Sequence, residues 1–135
     1  MNENTNTLIN KLIVRTKDQL LRWSKYNSSI IPLKDTKRDL FNTSKYLDNS
    51  HALVNDACYY SNHFDTFFFL MVYKDYLNNS IIKLHVQTAD SEYSKIYAST
   101  AEDDAQIISE LKRLYNLVDS YDDPIEENIR IFINL

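Results

Sequence analysis

Hydrophobic and polar positions along this chain repeat with two different periods. Between residues 4 and 23, Leu8, Leu12, Thr16, Leu20 and Trp23 recur at spacings of four and three, and Ile9 and Ile13 widen the stripe. That spacing marks one face of an amphipathic helix. Lys11, Arg15, Lys17 and Arg22 fall off the stripe, and the pattern ends at Ser24. From residue 53 to 99 the period changes to two. Ala57 to Ser61, Phe64 to Tyr76, Ile81 to Thr88 and Glu92 to Ser99 read as strands, with turns at Asn62-His63 and Asn78-Asn79. The short connections imply antiparallel neighbours in a meander.

Alternation also sorts the faces of the expected sheet. Ile82, Leu84 and Val86 point one way, and Lys83, His85 and Gln87 the other. The strand from Phe64 to Tyr76 is apolar on both sides, so it is expected to be central and covered on both faces. In the carboxyl third, Ile107, Leu111, Leu114, Val118 and Tyr121 return to helical spacing. Ser99 or Thr100 is the expected cap, with Glu102, Asp103 and Asp104 in the first turn, where the helix dipole favours negative charge. Asp123-Pro124 starts a second helix carrying Ile125, Ile129, Phe132 and Ile133. Residues 24–50 fit no single period. Ile30 to Leu33 reads as a short edge strand and Asp35 to Leu47 as a turn or two of helix. The expected fold class is α+β. A four- to five-stranded antiparallel meander sheet is packed by an N-terminal helix and two C-terminal helices, in one domain over residues 1–135.

Composition narrows the chemistry. A chain of 135 residues with 44% hydrophobic and 25% charged positions is sized and mixed for one globular domain. The single cysteine, Cys58, forbids an internal disulfide and a Cys-rich zinc site. No secretory leader is read at the amino end, and the longest apolar run, Phe67 to Tyr73, is far too short to cross a bilayer. A cytoplasmic location and no membrane partner are therefore expected. Net charge is −4, with 9 basic and 5 acidic side chains in residues 1–50 and 6 and 14 in the remainder. That balance argues against a nucleic-acid partner, because phosphate neutralisation needs clustered Lys and Arg.

Glycine is absent altogether. The phosphate-binding loop, the dinucleotide fingerprint and the nucleophile elbow all depend on glycine, so none is present as a motif. Left-handed backbone positions should fall to Asn and Asp, with Asn78-Asn79, Asp48-Asn49 and Asn62-His63 as candidates.

The order of elements is familiar. Trp23 closes the first helix, an aromatic meander carries Leu84-His85-Val86-Gln87, and the run Leu111 to Val118 precedes an Ile-rich helix after Pro124. In these features the chain resembles a family of short, uncharacterised proteins of low-GC Gram-positive bacteria, often carried on mobile elements. The resemblance implies an α–β-meander–α fold. It transfers no activity and no functional residue.

Candidate chemistry is sparse. His51, His63 and His85 form no metal-ligand spacing, and His51 and His63 fall in expected loops. His85, on the polar side of its strand, reads as solvated. Cys58 and His63 are five apart, so in one strand they face opposite sides. A lone cysteine in a strand is most often a small buried hydrophobe. The acidic clusters read as helix-start charge. No metal, no cofactor and no catalytic residue is assigned, and the chain is expected not to be an enzyme.

The ten tyrosines leave one surface to consider. If Ile82, Leu84, Val86, Ile96 and Ala98 face the core, then Tyr93, Lys95 and Tyr97 join Lys83 and His85 on the opposite face, with Tyr73 from the central strand. Helices of the same chain can cover that face, or it can meet a partner. The contact candidates are Tyr73, Lys83, His85, Tyr93 and Tyr97. The leading expectation is a non-enzymatic protein-binding module, an inhibitor, immunity or accessory protein, with a homodimer possible. The alternative is a small-molecule or enzymatic site between sheet and helices.

Overall fold

The computed structural model describes residues 2–26, 51–90, 94–120, 129 and 131–135. Helix α1 spans Asn2–Lys17 and helix α2 spans Ala105–Ser120. Between them lie the strands β1 (Ser24–Lys25), β2 (His51–Leu53), β3 (Tyr59–His63), β4 (Thr66–Asp75), β5 (Ser80–Thr88) and β6 (Lys95–Ser99). They form one antiparallel sheet in the order β1-β3-β4-β5-β6, with β2 pairing along β4 beyond the end of β3. Residues 131–133 are again helical. The class is α+β, as the periodicities imply. The expected strand at residues 30–33, the helix at 35–47 and the Asp123 cap lie outside the described residues.

Both helices cover one face of the sheet. Ile9, Leu12 and Ile13 of α1 and Ile107, Leu111, Leu114 and Val118 of α2 are buried against Tyr59, Phe68, Leu70, Leu84 and Ala98. Burying each large aliphatic side chain contributes about 1.5–3 kcal/mol, so the four buried positions of α2 anchor it firmly. The second face gathers Phe67, Phe69, Met71 and Tyr73 of β4 with Tyr26, Cys58 and Ile81, all buried. The central strand is therefore covered on both sides.

Three boundaries differ from the sequence expectation. Helix α1 stops at Lys17 and does not reach Trp23. Gln19 takes a left-handed φ of 61°, and the amides of Leu20 and Leu21 both donate to the Arg15 carbonyl. The reversal exposes Leu20 and buries Leu21, while the Trp23 indole returns to donate to Thr16 Oγ1 at 2.9 Å. Trp23 thus packs on the helix from outside it. Helix α2 is capped by Asp104, whose Oδ1 accepts from the Ile107 amide at 3.0 Å. Asp103 instead accepts from the Ser99 amide at 2.6 Å, so these acids lie before the helix and not in its first turn. His51 begins β2 and His63 ends β3, where loops were expected.

Left-handed positions went partly to unexpected residues. Asn78 (φ 66°) turns β4 into β5, with Asp75 Oδ1 accepting from the amides of Leu77 and Asn79. The β3–β4 turn is tighter than Asn62-His63 implied. His63 pairs with Thr66, and Phe64, not an Asn, adopts φ 53° at its tip.

Candidate functional site

The expected contact surface does not assemble. On β4 and β5 the register sets Phe67 opposite Gln87, Phe69 opposite His85 and Met71 opposite Lys83. The polar side of β5 therefore lies on the second face beside the aromatic side of β4. His85 is fully buried, correcting its solvated reading, and Gln87 beside it is nearly so. Alternation places His85 on a face, but burial is decided by what the neighbouring strand brings to that face. Tyr73 is buried too, at 2% exposure.

Tyr73, Lys83 and His85 do meet. The Tyr73 hydroxyl lies 3.4 Å from His85 Nε2, and His85 Nδ1 lies 3.3 Å from Ser94 Oγ. Lys83 Nζ sits 5.2 Å from the centre of the Tyr73 ring, a cation–π contact from a half-buried lysine. Burial, with the Lys83 charge assisting, holds the His85 pKa down at about 3, so its imidazole is neutral at physiological pH. A serine, a histidine and a hydroxyl in series have the outline of an activated nucleophile. Here, however, the imidazole between them is fully buried. The trio is a hydrogen-bonded strut within the second face.

Tyr97 is elsewhere, and a β-bulge is the reason. Leu84 pairs with Ala98 but His85 pairs with Ile96, which leaves Tyr97 as the extra residue. The bulge reverses the alternation beyond it. Ile96 comes opposite His85 and is 47% exposed, while Lys95 comes opposite Val86. Tyr97 packs against the helix-side core, and its carbonyl accepts from Thr5 Oγ1 of α1 at 3.3 Å. Lys95 lies over the Tyr97 ring at 4.9 Å. Tyr93 lies outside the described residues. Three of the five contact candidates are thus brought together and buried or half-buried, and a fourth stands on the other face.

Cys58 is also committed structurally. It is fully buried, its thiol donates to the Val54 carbonyl at 3.2 Å, and it accepts from the Val72 amide at 3.2 Å. Burial pushes its pKa up to about 11. Among the described residues no three His, Cys, Asp or Glu side chains are grouped to hold a metal ion.

What the residue pattern did not reveal is an open groove on the helix side. It has a volume of about 600 Å³ and runs between α1 and the β4–β6 part of the sheet. Leu8, Phe68, Val86 and Tyr97 supply its apolar lining, Asn4, Thr7 and Thr66 its polar rim, and Lys11 its one charge. The bulge helps to form it by turning Tyr97 toward α1. No periodicity in the sequence announces a bulge. This is an α+β protein with an antiparallel sheet and an amphipathic groove beside its first helix. Comparison with family models, with curated proteins and with solved structures found no match.

Proposed function

We propose that this chain is a non-enzymatic protein-binding module and that the groove beside α1 is its docking surface. The observation that carries this reading is the groove itself: accessible aromatic and aliphatic side chains with a polar rim. Buried aromatic anchors ringed by polar groups are the usual makeup of a protein contact. The position of the reactive side chains adds support, since His85 and Cys58 are buried toward the opposite face. A small-molecule site in the same groove is the second reading, favoured by a volume within the ~300–1,000 Å³ range of ligand pockets. The openness of the groove and its single charge fit a polypeptide better. An inhibitor, immunity or accessory role belongs to this proposal.

The test is affinity capture from the source cell's lysate with wild-type protein and with Thr7→Arg, a change at an exposed groove position. One stoichiometric protein retained by the wild type through high salt, and lost with Thr7→Arg, is the expected outcome. Equal retention by the variant would reject the groove. An empty capture would reject the module and move the search to small ligands.

A further inference from the structure

The groove beside α1 carries its charge in a definite arrangement. Lys11 stands on the helix wall, exposed and one turn beyond Thr7. A second cation reaches the groove from the sheet. Lys95 pairs opposite Val86, so its side chain leaves β6 on the side where Val86 lines the groove. Its ammonium lies 4.9 Å from the centre of the Tyr97 ring, which holds it there by cation–π attraction. Both lysines are exposed, and neither forms an ion pair among the described residues. No Asp or Glu among those residues lines the groove.

This layout discriminates among occupants. Leu8, Val86 and Tyr97 are half-buried in the free chain, so a polypeptide seated on them gains from completing their burial. The same occupant draws Lys11 and Lys95 out of water. A charge buried without a partner is costly, so a neutral or basic segment loses there what the apolar contacts contribute. A segment with carboxylates beside its apolar side chains instead gives both ammonium groups charge-assisted hydrogen bonds. Nucleic acid is disfavoured, because two lysines neutralise few phosphates and the chain as a whole carries −4.

We infer that the occupant of the α1 groove is an acidic amphipathic segment of another protein. Its large apolar side chains cover Leu8, Val86 and Tyr97, and its Asp or Glu carboxylates meet Lys11 on one wall and Lys95 on the other. The inference rests on the groove's being a protein-docking surface, as proposed above, and adds the chemistry of the partner. Charge then sets which partners are admitted, while the apolar lining holds them.

Selection from a random-peptide display library on the full-length chain tests this. Counter-selection uses Thr7→Trp, which fills the groove from an exposed position without changing its charge. Peptides kept by wild type and refused by Thr7→Trp should carry Asp or Glu beside aromatic or aliphatic residues. A labelled synthetic copy of the most enriched peptide, followed by fluorescence anisotropy, should bind Lys11→Glu and Lys95→Glu each about tenfold more weakly. Exchanging its acids for lysines should abolish binding to wild type and restore it on the Lys11→Glu/Lys95→Glu double variant. Both lysines are exposed, so these variants keep the fold, as circular dichroism will verify, and Lys95→Gln removes the charge more gently. Enriched peptides that are neutral or basic overturn the inference and leave the docking groove standing. So does an acidic peptide whose affinity neither charge reversal changes. A labelled oligothymidylate that binds wild type more tightly than any selected peptide, and is lost with Lys11→Glu, overturns it in favour of nucleic acid. A library that yields no peptide preferring wild type over Thr7→Trp rejects the groove itself, and the inference with it.

Discussion

His85 Nε2 and the Tyr73 hydroxyl lie 3.4 Å apart in the sheet's second face, joining adjacent strands through two buried polar side chains. Tyr73 bonds the imidazole as a neutral ring, and Lys83 adds a positive charge nearby that opposes a second one.

The linkage has a definite sign. The His85 pKa is lowered in the folded protein to about 3 from the ordinary 6.5, so below pH 6.5 the unfolded chain binds a proton that the folded chain refuses. Stability from this group is complete above pH 6.5 and falls as pH drops toward 3, by roughly tenfold in the folding constant per pH unit. Urea unfolding at a series of pH values measures this. His85→Gln should flatten the curve across that window, and a wild-type curve already flat between pH 4 and 6 would refute the assignment.

Cys58 should be inert in the native state. With a pKa near 11 in place of 9, its thiolate fraction at pH 8 is roughly a hundredfold below that of a free thiol, before burial is counted. Thiol-reagent labelling should follow global unfolding, accelerating with denaturant. Fast labelling in buffer alone would show that the second face opens. Cys58→Ala leaves the Val72 amide and the Val54 carbonyl without their thiol partner, which costs about 1–3 kcal/mol in the same unfolding assay.

Two tyrosines tie the helix layer to the edge of the sheet. Tyr59 donates to the Asp119 carboxylate at the end of α2, Tyr115 of α2 donates to the Ala57 carbonyl at 2.6 Å, and the two rings meet edge-on at 5.9 Å. Burial, with the neighbouring carboxylate, raises the pKa of Tyr59 well above 10, and burial raises that of Tyr115 to about 12. Both contributions are whole below pH 10 and decline as pH rises above it, when the unfolded chain ionises first. Phenolate absorbance should show Tyr59 and Tyr115 among the tyrosines that titrate late, and Tyr59→Phe should remove one late-titrating group. That variant should lose about 1–2 kcal/mol.

Phe64 is the clearest stored strain. A bulky side chain at φ 53° disfavours the fold by about 1–2 kcal/mol, and Phe64 is 83% exposed, its ring edge-on to His63 with centroids 4.7 Å apart. Phe64→Asn, which tolerates the left-handed region, should raise stability by about 1 kcal/mol and the melting temperature by several degrees. A lower melting temperature would mean that Phe64 packs on the fold more than its exposure implies.

Local pattern alone determined the two helices, the antiparallel meander from β3 to β6, the two-sided burial of β4 and the apolar stripe of α2, but not the short strands β1 and β2. Each follows from periods of two or 3.6 residues, which any chain segment carries within itself. Where Leu20 would have continued the first helix, a turn at Gln19 was favoured because it returns Trp23 to Thr16, a contact seven residues back along the chain. His85 reads as a solvated strand residue until β4 brings Phe69 beside it. Tyr97 reads as its neighbour on the same face until the bulge opposite Leu84 and His85 turns it toward α1 and into the groove. These outcomes belonged to the tertiary structure because each depends on what a distant strand or helix places alongside. A one-residue change of register moves a side chain to the opposite face without altering the sequence pattern that seemed to position it.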